Sequence, residues 1–294
     1  MNMLYESLSI SKQSFHQYMN RQRVVLSEQK QLLILIYQIR EDHPTMCVRD
    51  MYFKLNPESM GRDSFERFCK SEGLMSSKVR DFRRTTDSTG VVRFENKIEG
   101  LELFRIDQVW QSDITYYEVS GRFYYITFVI DGFSRRIVGH SVSQRLLTQH
   151  TTMPALKMAI EIRKREKREE SMLIIHSDGG GQYYSKDFRE LTNAYNITNS
   201  MCEYAWENGK AERVNGVIKN NYLRHRSIDN FDTLRKEVDR SVYLYNNDKP
   251  HIKLQRKTPV GFETNESKSN KQTSMFNPSV KSKGRLIAEP VKGI

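Results

Sequence analysis

The hydrophobic pattern of this chain changes period near residue 104. Before that point apolar residues recur at helical spacing. Segment 27–40, SEQKQLLILIYQIR, opens with Ser27 as an N-cap and carries Leu32, Leu33, Leu35, Ile36 and Ile39 on one helical face. Segments 44–55 and 62–72 predict two short helices, and the turn between them reads Asn56-Pro57-Glu58-Ser59-Met60-Gly61. Two short helices across a tight turn fit a helix-turn-helix, whose second helix, with Arg62 and Arg67, could enter a DNA major groove. An ordinary helical bundle has the same pattern. A basic stretch follows, with Lys78, Arg80, Arg83 and Arg84, suited to tracking phosphates or to serving as a solvated linker.

After residue 104 the period shortens and β-branched and aromatic residues take over. Segment 108–119, QVWQSDITYYEV, predicts a strand, Ser120-Gly121 a turn, and 122–130, RFYYITFVI, a strand buried on both faces. A third strand at 135–143 completes an antiparallel meander. Then come a helix near 148–168, a short apolar strand at 172–177, a helix near 185–195, a strand near 197–201, and helices near 207–226 and 231–247. That order is the order of a ribonuclease-H-like α/β domain: a mixed five-stranded sheet with flanking helices, preceded here by an all-α helix-turn-helix region. The chain thus divides into a helical region over 1–95, a catalytic-core candidate over 96–264 and a basic tail over 265–294. Residues 266–294 hold six basic and two acidic side chains with few apolar anchors, which predicts a mobile segment. The run Arg163 to Arg168, RKREKR, reads as the solvated face of a helix, with DNA contact as the alternative.

Composition narrows the partners. The chain has 294 residues and 34.7 kDa, 37% of them hydrophobic, enough for a real core. Its net charge is +11 and its pI about 9.4, which makes a polyanion the natural partner and nucleic acid the commonest one. No apolar run is long enough to span a membrane, and the first residues, MNMLYESLSISKQ, do not resemble a secretory signal. Cys47, Cys69 and Cys202 lie far apart, with no zinc spacing and no even disulfide set, which points to a reducing compartment.

Three carboxylates stand out against this pattern. Asp113 lies within the first predicted strand, Asp178 ends the fourth, and Glu212 sits on the helix after the fifth. In a sheet of this order the first and fourth strands are neighbours, so two carboxylates could converge and the helix could bring the third. Hard oxygen ligands suit Mg²⁺, with Mn²⁺ as a substitute, rather than zinc. Two such ions about 3.5–4 Å apart can hold the attacking and leaving oxygens of an in-line phosphoryl displacement. Glu203 and Glu207 compete with Glu212 for the third place. Asp131, before Gly132 at a strand end, reads as a turn former and stays outside the set. Ser177-Asp178-Gly179-Gly180-Gly181-Gln182 leaves the backbone open to a ligand.

Read together, these blocks resemble the retroviral-integrase-like transposases of bacterial insertion sequences, in particular their second-frame catalytic product, OrfB. The segment Leu8 to His16 looks like the helical motif that opens those proteins, and residues 44–74 like their helix-turn-helix. Trp110 to Tyr116, Val129 to Gly139, His176 to Tyr183 and Asn208 to Arg213 match the successive catalytic blocks, and Tyr245-Asn246, Lys249-Pro250-His251 and Thr258-Pro259 match the C-terminal signature. The spacing from Asp178 to Glu212, with 33 residues between them, is slightly shorter than relatives usually carry.

The resemblance implies that Asp113, Asp178 and Glu212 are a DDE triad binding two Mg²⁺ ions. It implies a phosphate contact for Lys219, which lies seven residues, close to two helical turns, after Glu212. Asn208 matches a family position as well, either orienting a carboxylate or the DNA, or capping the helix. Hydrolysis at the element's end and attack by the freed 3′-hydroxyl on target DNA are the implied reactions. Double-stranded DNA, a companion first-frame protein and further copies of the chain are the implied partners, in the bacterial cytoplasm with the nucleoid. A transposase-derived regulator without chemistry, or a ribonuclease-H-like nuclease that joins nothing, would share much of this sequence.

Overall fold

The computed structural model describes residues 11–76, 94–167, 171–202 and 205–276. The helical region contains α1 (Lys12–Asp42), α2 (Val48–Leu55) and α3 (Arg62–Ser71). The first helix is longer than the pattern predicts. Ser11 is its N-cap, accepting a hydrogen bond from the Ser14 N–H at 3.0 Å, and Ser27 lies mid-helix. No Gly or Pro interrupts residues 12–42, so nothing stops the helix from extending backwards. Only its last third is buried: Leu32, Ile36 and Ile39 pack with Met51, Phe65 and Cys69 of the two short helices. The turn between α2 and α3 starts at Asn56, which takes the left-handed conformation (φ 44°) that ends a helix.

The α/β region follows the predicted order. Its strands are β1 (Val109–Val119), β2 (Arg122–Asp131), β3 (Ile137–Ser143), β4 (Leu173–Ser177) and β5 (Ile197–Met201). Its helices are α4 (Thr152–Ile162), α5 (Lys186–Ala194), α6 (Gly209–Asn221), α7 (Phe231–Asn247) and α8 (Pro259–Phe276). The fold is α/β, with one mixed five-stranded sheet in the order β3-β2-β1-β4-β5. The first and fourth strands are indeed neighbours. β1 runs antiparallel to β2 and parallel to β4, and its last pairing with β4 is Ser112 to Ser177.

Both faces of the sheet are covered. Trp110, Val129, Val138 and Ile175 meet Leu156 of α4 and Phe188 of α5 on one face. Ile126, Phe128 and Ile130 meet Val214 and Ile218 of α6 and Val238 of α7 on the other. The family-like C-terminal residues are part of this frame: the Asn246 side chain bridges the backbone N–H and C=O of Ile137, at 2.9 and 2.8 Å.

Two ionic networks join the parts. His43 Nε2 stands 2.7 Å from Asp248, which also receives Lys54, while Arg240 pairs with Asp42 and Arg256 with Asp50. These contacts seat the helical region against α7 and the segment after it. In the second network Glu263 of α8 accepts from Ser134, Arg136 and Arg163. Arg163 also pairs with Asp107 at 3.0 Å. This corrects the reading of the RKREKR run as a wet helical face. α4 ends at Ile162, so the run begins where the chain folds back, and Arg163 and Arg165 turn inward to carboxylates and backbone carbonyls. α8 continues to Phe276, past the point set for the tail, and residues 277–294 lie outside the described residues.

At Gly139 the backbone of β3 touches α4. A Cβ there would lie 2.1 Å from the Ala155 carbonyl oxygen, so an added methyl must push strand and helix apart. Gly139→Ala is expected to cost about 3 kcal/mol and to lower the melting temperature by about 6 °C or more, measured by thermal unfolding.

Candidate active site

Asp113 sits mid-β1, one residue beyond the end of the β4 pairing. Asp178 follows the last residue of β4, and Glu212 lies in the first turn of α6. β4 stops at Ser177 because the next residues are Asp178 and three glycines, a segment with no apolar side chains to bury. The Gly180 N–H donates to Asp178 Oδ1 at 3.2 Å, a tight turn that fixes the carboxylate. α6 packs across β1 through Ala211, Val214 and Ile218, and this packing brings Glu212 over the strand.

The three carboxylates sense one another. Burial pushes the Asp113 carboxyl up to about 7, and the charges of Asp178 and then Glu212 add to the rise. Burial also raises Asp178, against the pull of the Gly180 N–H. Glu212 is raised by burial and then by Asp178. Glu207, in the short 3₁₀ turn Ala205–Asn208, instead acts on His176 and Cys202. Glu212 adds to the rise of Asp113 and is itself raised by Asp178; Glu203 lies outside the described residues.

Two neighbours were not legible as site residues. Asn215 Nδ2 donates to Asp113 Oδ2 at 2.7 Å and favours the ionised carboxylate. It lies three residues after Glu212, on the same side of α6, and that spacing was the available signal. Tyr183 is buried beside the aspartates, its hydroxyl 2.9 Å from Ser112 Oγ. The charges of Asp178 and Asp113 help to hold this phenol protonated, after the larger effect of burial.

The other predicted residues fall in different surroundings. Asn208 is buried, and its amide donates to the Ser112 carbonyl at 2.9 Å. Asn208 is the N-cap residue of α6, as the capping alternative has it, but its side chain makes no capping hydrogen bond to the helix. It ties the start of the helix to the strand next to Asp113. Lys219, in the last turn of α6, places Nζ 5.5 Å from the Tyr116 ring centroid. Arg62 and Arg67 are exposed on α3, where Arg62 pairs with Asp63 and Arg67 donates to Ser64. Lys78, Arg80, Arg83 and Arg84 lie outside the described residues. Asp131 is the turn former it was read as: Oδ1 accepts the N–H groups of Phe133 and Ser134, and Oδ2 that of Asp107.

The donor set is all carboxylate oxygen, which fits a hard divalent cation. Among the described residues no three His, Cys, Asp or Glu side chains already stand at ligating distance.

Two families, each described as an integrase core domain, match residues 105–205 and 194–259. Together they span just over half of the chain. The chain belongs to the integrase core family. Within it, the chain is similar to proteins of insertion sequences. A 31 kDa protein of insertion element IS600 from Shigella sonnei is 28% identical over 208 residues, which cover 69% of this chain and 75% of that protein. The transposase InsF for insertion sequence IS3A from Escherichia coli (strain K12) is 38% identical over 95 residues, which cover 32% of this chain and 31% of InsF. The chain thus matches about a third of the length of that relative. Among solved structures, the magnesium complex of the HTLV-2 integrase catalytic core domain is 24% identical and covers 52% of this chain and 94% of that one, with a TM-score of 0.42. No helix among the described residues is long and apolar enough to cross a membrane.

The raised Asp113 fixes the sign of a pH effect. A carboxyl whose folded pKa is about 7 rather than 3.8 binds its proton more tightly in the folded chain. Without metal, stability therefore falls as pH rises from about 4 to about 7. In a chelator, Asp113→Asn is expected to melt several degrees above the native chain at alkaline pH, and the gap is expected to close as the pH falls through that window. Added Mg²⁺ is expected to raise the melting temperature of the native chain and to do little for the variant. Thermal scans across pH, with and without Mg²⁺, read both.

Proposed function

We propose that this chain is a DDE-type transposase that cleaves DNA at the end of an insertion sequence and joins the freed end to target DNA. The observation that carries the reading is the placement of three acids far apart in sequence, Asp113 on β1, Asp178 directly after the neighbouring β4 and Glu212 in the first turn of α6, which packs on β1, near enough for the charges of Asp178 and Glu212 to raise Asp113. Asp113, Asp178 and Glu212 would hold the divalent ions, two Mg²⁺ in this reading. When bound, such ions supply charge neutralisation at the scissile phosphate and ease ionisation of the attacking oxygen.

The remaining work belongs to the chain itself. In the first step water attacks the phosphorus, the P–O3′ bond breaks, and the 3′ oxygen leaves as a hydroxyl. In the second step that hydroxyl attacks a target phosphate and displaces another 3′ oxygen. Both steps are in-line exchanges that need no covalent enzyme intermediate, so positioning and charge dominate. Asn215 keeps Asp113 oriented and favours its ionised form. Asn208 fixes the strand backbone beside it and serves DNA binding through that placement. Lys219 would neutralise a phosphate near the acids. Arg62 and Arg67, with Lys78, Arg83 and Arg84, would hold double-stranded DNA outside the core, mostly through phosphates. A companion first-frame protein and assembly of several copies on paired DNA ends rest on the resemblance to insertion-sequence transposases. The bacterial cytoplasm and nucleoid are the compartment that goes with this reading.

A strand-transfer assay on DNA carrying the element's own ends tests the reading. Asp178→Asn and Glu212→Gln are each expected to lower cleavage and joining by about 10²-fold or more while DNA binding persists, whereas Glu207→Gln keeps activity. Unchanged joining by Asp178→Asn would remove the support for the triad. Removing the Asn215 donor by Asn215→Ala is expected to raise the Asp113 pKa further, so the acidic limb of the rate profile shifts to higher pH. DNA affinity is expected to fall steeply with added salt, and an affinity indifferent to ionic strength would contradict binding through phosphates.

A further inference from the structure

Beyond Ser112, β1 continues with β2 on one side and, among the described residues, no strand on the other. β4 pairs only as far as Ser112, so residues 113–119 present a free edge, and α6 crosses there. Tyr116 stands on this stretch, three residues past Asp113, or about 10 Å along the strand. Its ring meets Phe123 of β2 edge-on, with centroids 5.4 Å apart and planes at 89°. Tyr116 is paired with Tyr125, so Phe123 is its diagonal neighbour on the same face of the hairpin. Both rings are open to solvent, Tyr116 by 39% and Phe123 by 52%. Side chains alternate along a strand, which turns Tyr116 away from the face of Asp113. Lys219 nevertheless reaches within 5.5 Å of the Tyr116 centroid from α6, so the helix and the ring meet at the strand edge.

We propose that Tyr116 and Phe123 form a stacking platform for an unpaired base of the DNA end, with Lys219 taking the phosphate between that base and the carboxylates. The inference rests on the transposase reading and adds the part of the substrate that the edge of β1 recognises. An aromatic face with a cation beside it suits a nucleotide, because the ring stacks on the base while the ammonium meets the phosphate. Glu118 lies opposite Phe123 at the far side of the platform, where its charge repels phosphate and leaves the base as the matching group. Stacking is tolerant of sequence and requires only that the base be unpaired. Tyr116 is thus a positioning residue that favours an end whose strands have separated.

The test uses the full chain and two synthetic duplexes, one forked with several unpaired nucleotides including a 2-aminopurine, the other fully paired. The native chain is expected to bind the forked probe more tightly and to quench its 2-aminopurine. Tyr116→Leu, which keeps an apolar contact with Phe123, is expected to lose about tenfold of the forked-probe affinity together with the quenching, to lose far less on the paired duplex, and to keep its melting temperature. Phe123→Leu should lose less than Tyr116→Leu. Equal affinity of the native chain for both probes, or equal losses on both by Tyr116→Leu, would overturn the platform while leaving the transposase reading intact. Failure of the native chain to bind either duplex would overturn both.

Discussion

The constraint on which this structure turns is the short parallel pairing between β1 and β4. It covers few residues, from Val109–Ile174 to Ser112–Ser177, and it stops where the acids begin. Hydrophobic burial on both faces drives these two strands together, because Trp110 and Ile175 belong to the same core. The pairing therefore brings two carboxylates close although their charges oppose it. A sheet this thoroughly buried can tolerate the strain of like charges at its edge, and a binding cation would reverse the sign of that interaction.

The rest of the molecule supports the same spot from three directions. α6 spans the edge of β1, contributing Glu212, Asn215 and Lys219 from one helical side while Val214 and Ile218 anchor the other. The Glu263 network ties α8 to the β2–β3 turn and to the segment after α4, so the C-terminal helix braces the sheet from behind. The contacts of His43, Asp42 and Asp50 join the helical region to the core, fixing the exposed arginines of α3 relative to the acids. Buried charge is costly when unpaired, and each of these carboxylates has a cation or several hydrogen bonds. At the candidate site the acids instead have one another for charged neighbours, with amide and N–H donors to Asp113 and Asp178, an arrangement that shifts their titration upward.

This contrast also separates Asp131 from its neighbours. It is an aspartate like Asp113 and lies on the adjoining strand, directly across from Trp110. Three backbone N–H groups occupy its oxygens, so it closes a turn and has little left to offer a ligand. Asp113 receives one side-chain amide and the N–H of Ile114 and faces two other carboxylates. The difference between a structural and a chemical aspartate lies in what satisfies it.

Much of the frame was legible in the sequence because periodicity follows directly from burial. The meander of β1 to β3, the order of the later elements and the adjacency of β1 and β4 all stem from apolar spacing, from turn residues such as Ser120-Gly121, and from the few ways such elements can pack. The acids themselves were visible as polar residues, Asp113 within a strand, Asp178 at a strand end and Glu212 near a helix start. Tertiary contacts decided what no local pattern encodes. Arg163 looked like a solvated charge and proved to be a half-buried brace, because its carboxylate partners come from Asp107 and Glu263. Ser27 looked like a cap, but no breaker precedes it and the helix runs on. Glu203, Glu207 and Glu212 were alternatives in the sequence; Glu203 lies outside the described residues, and it is the packing of α6 on β1 that brings the charge of Glu212 to Asp113. A sequence specifies each side chain's chemistry and each segment's period; the distance between charges remote along the chain exists only once the sheet has assembled.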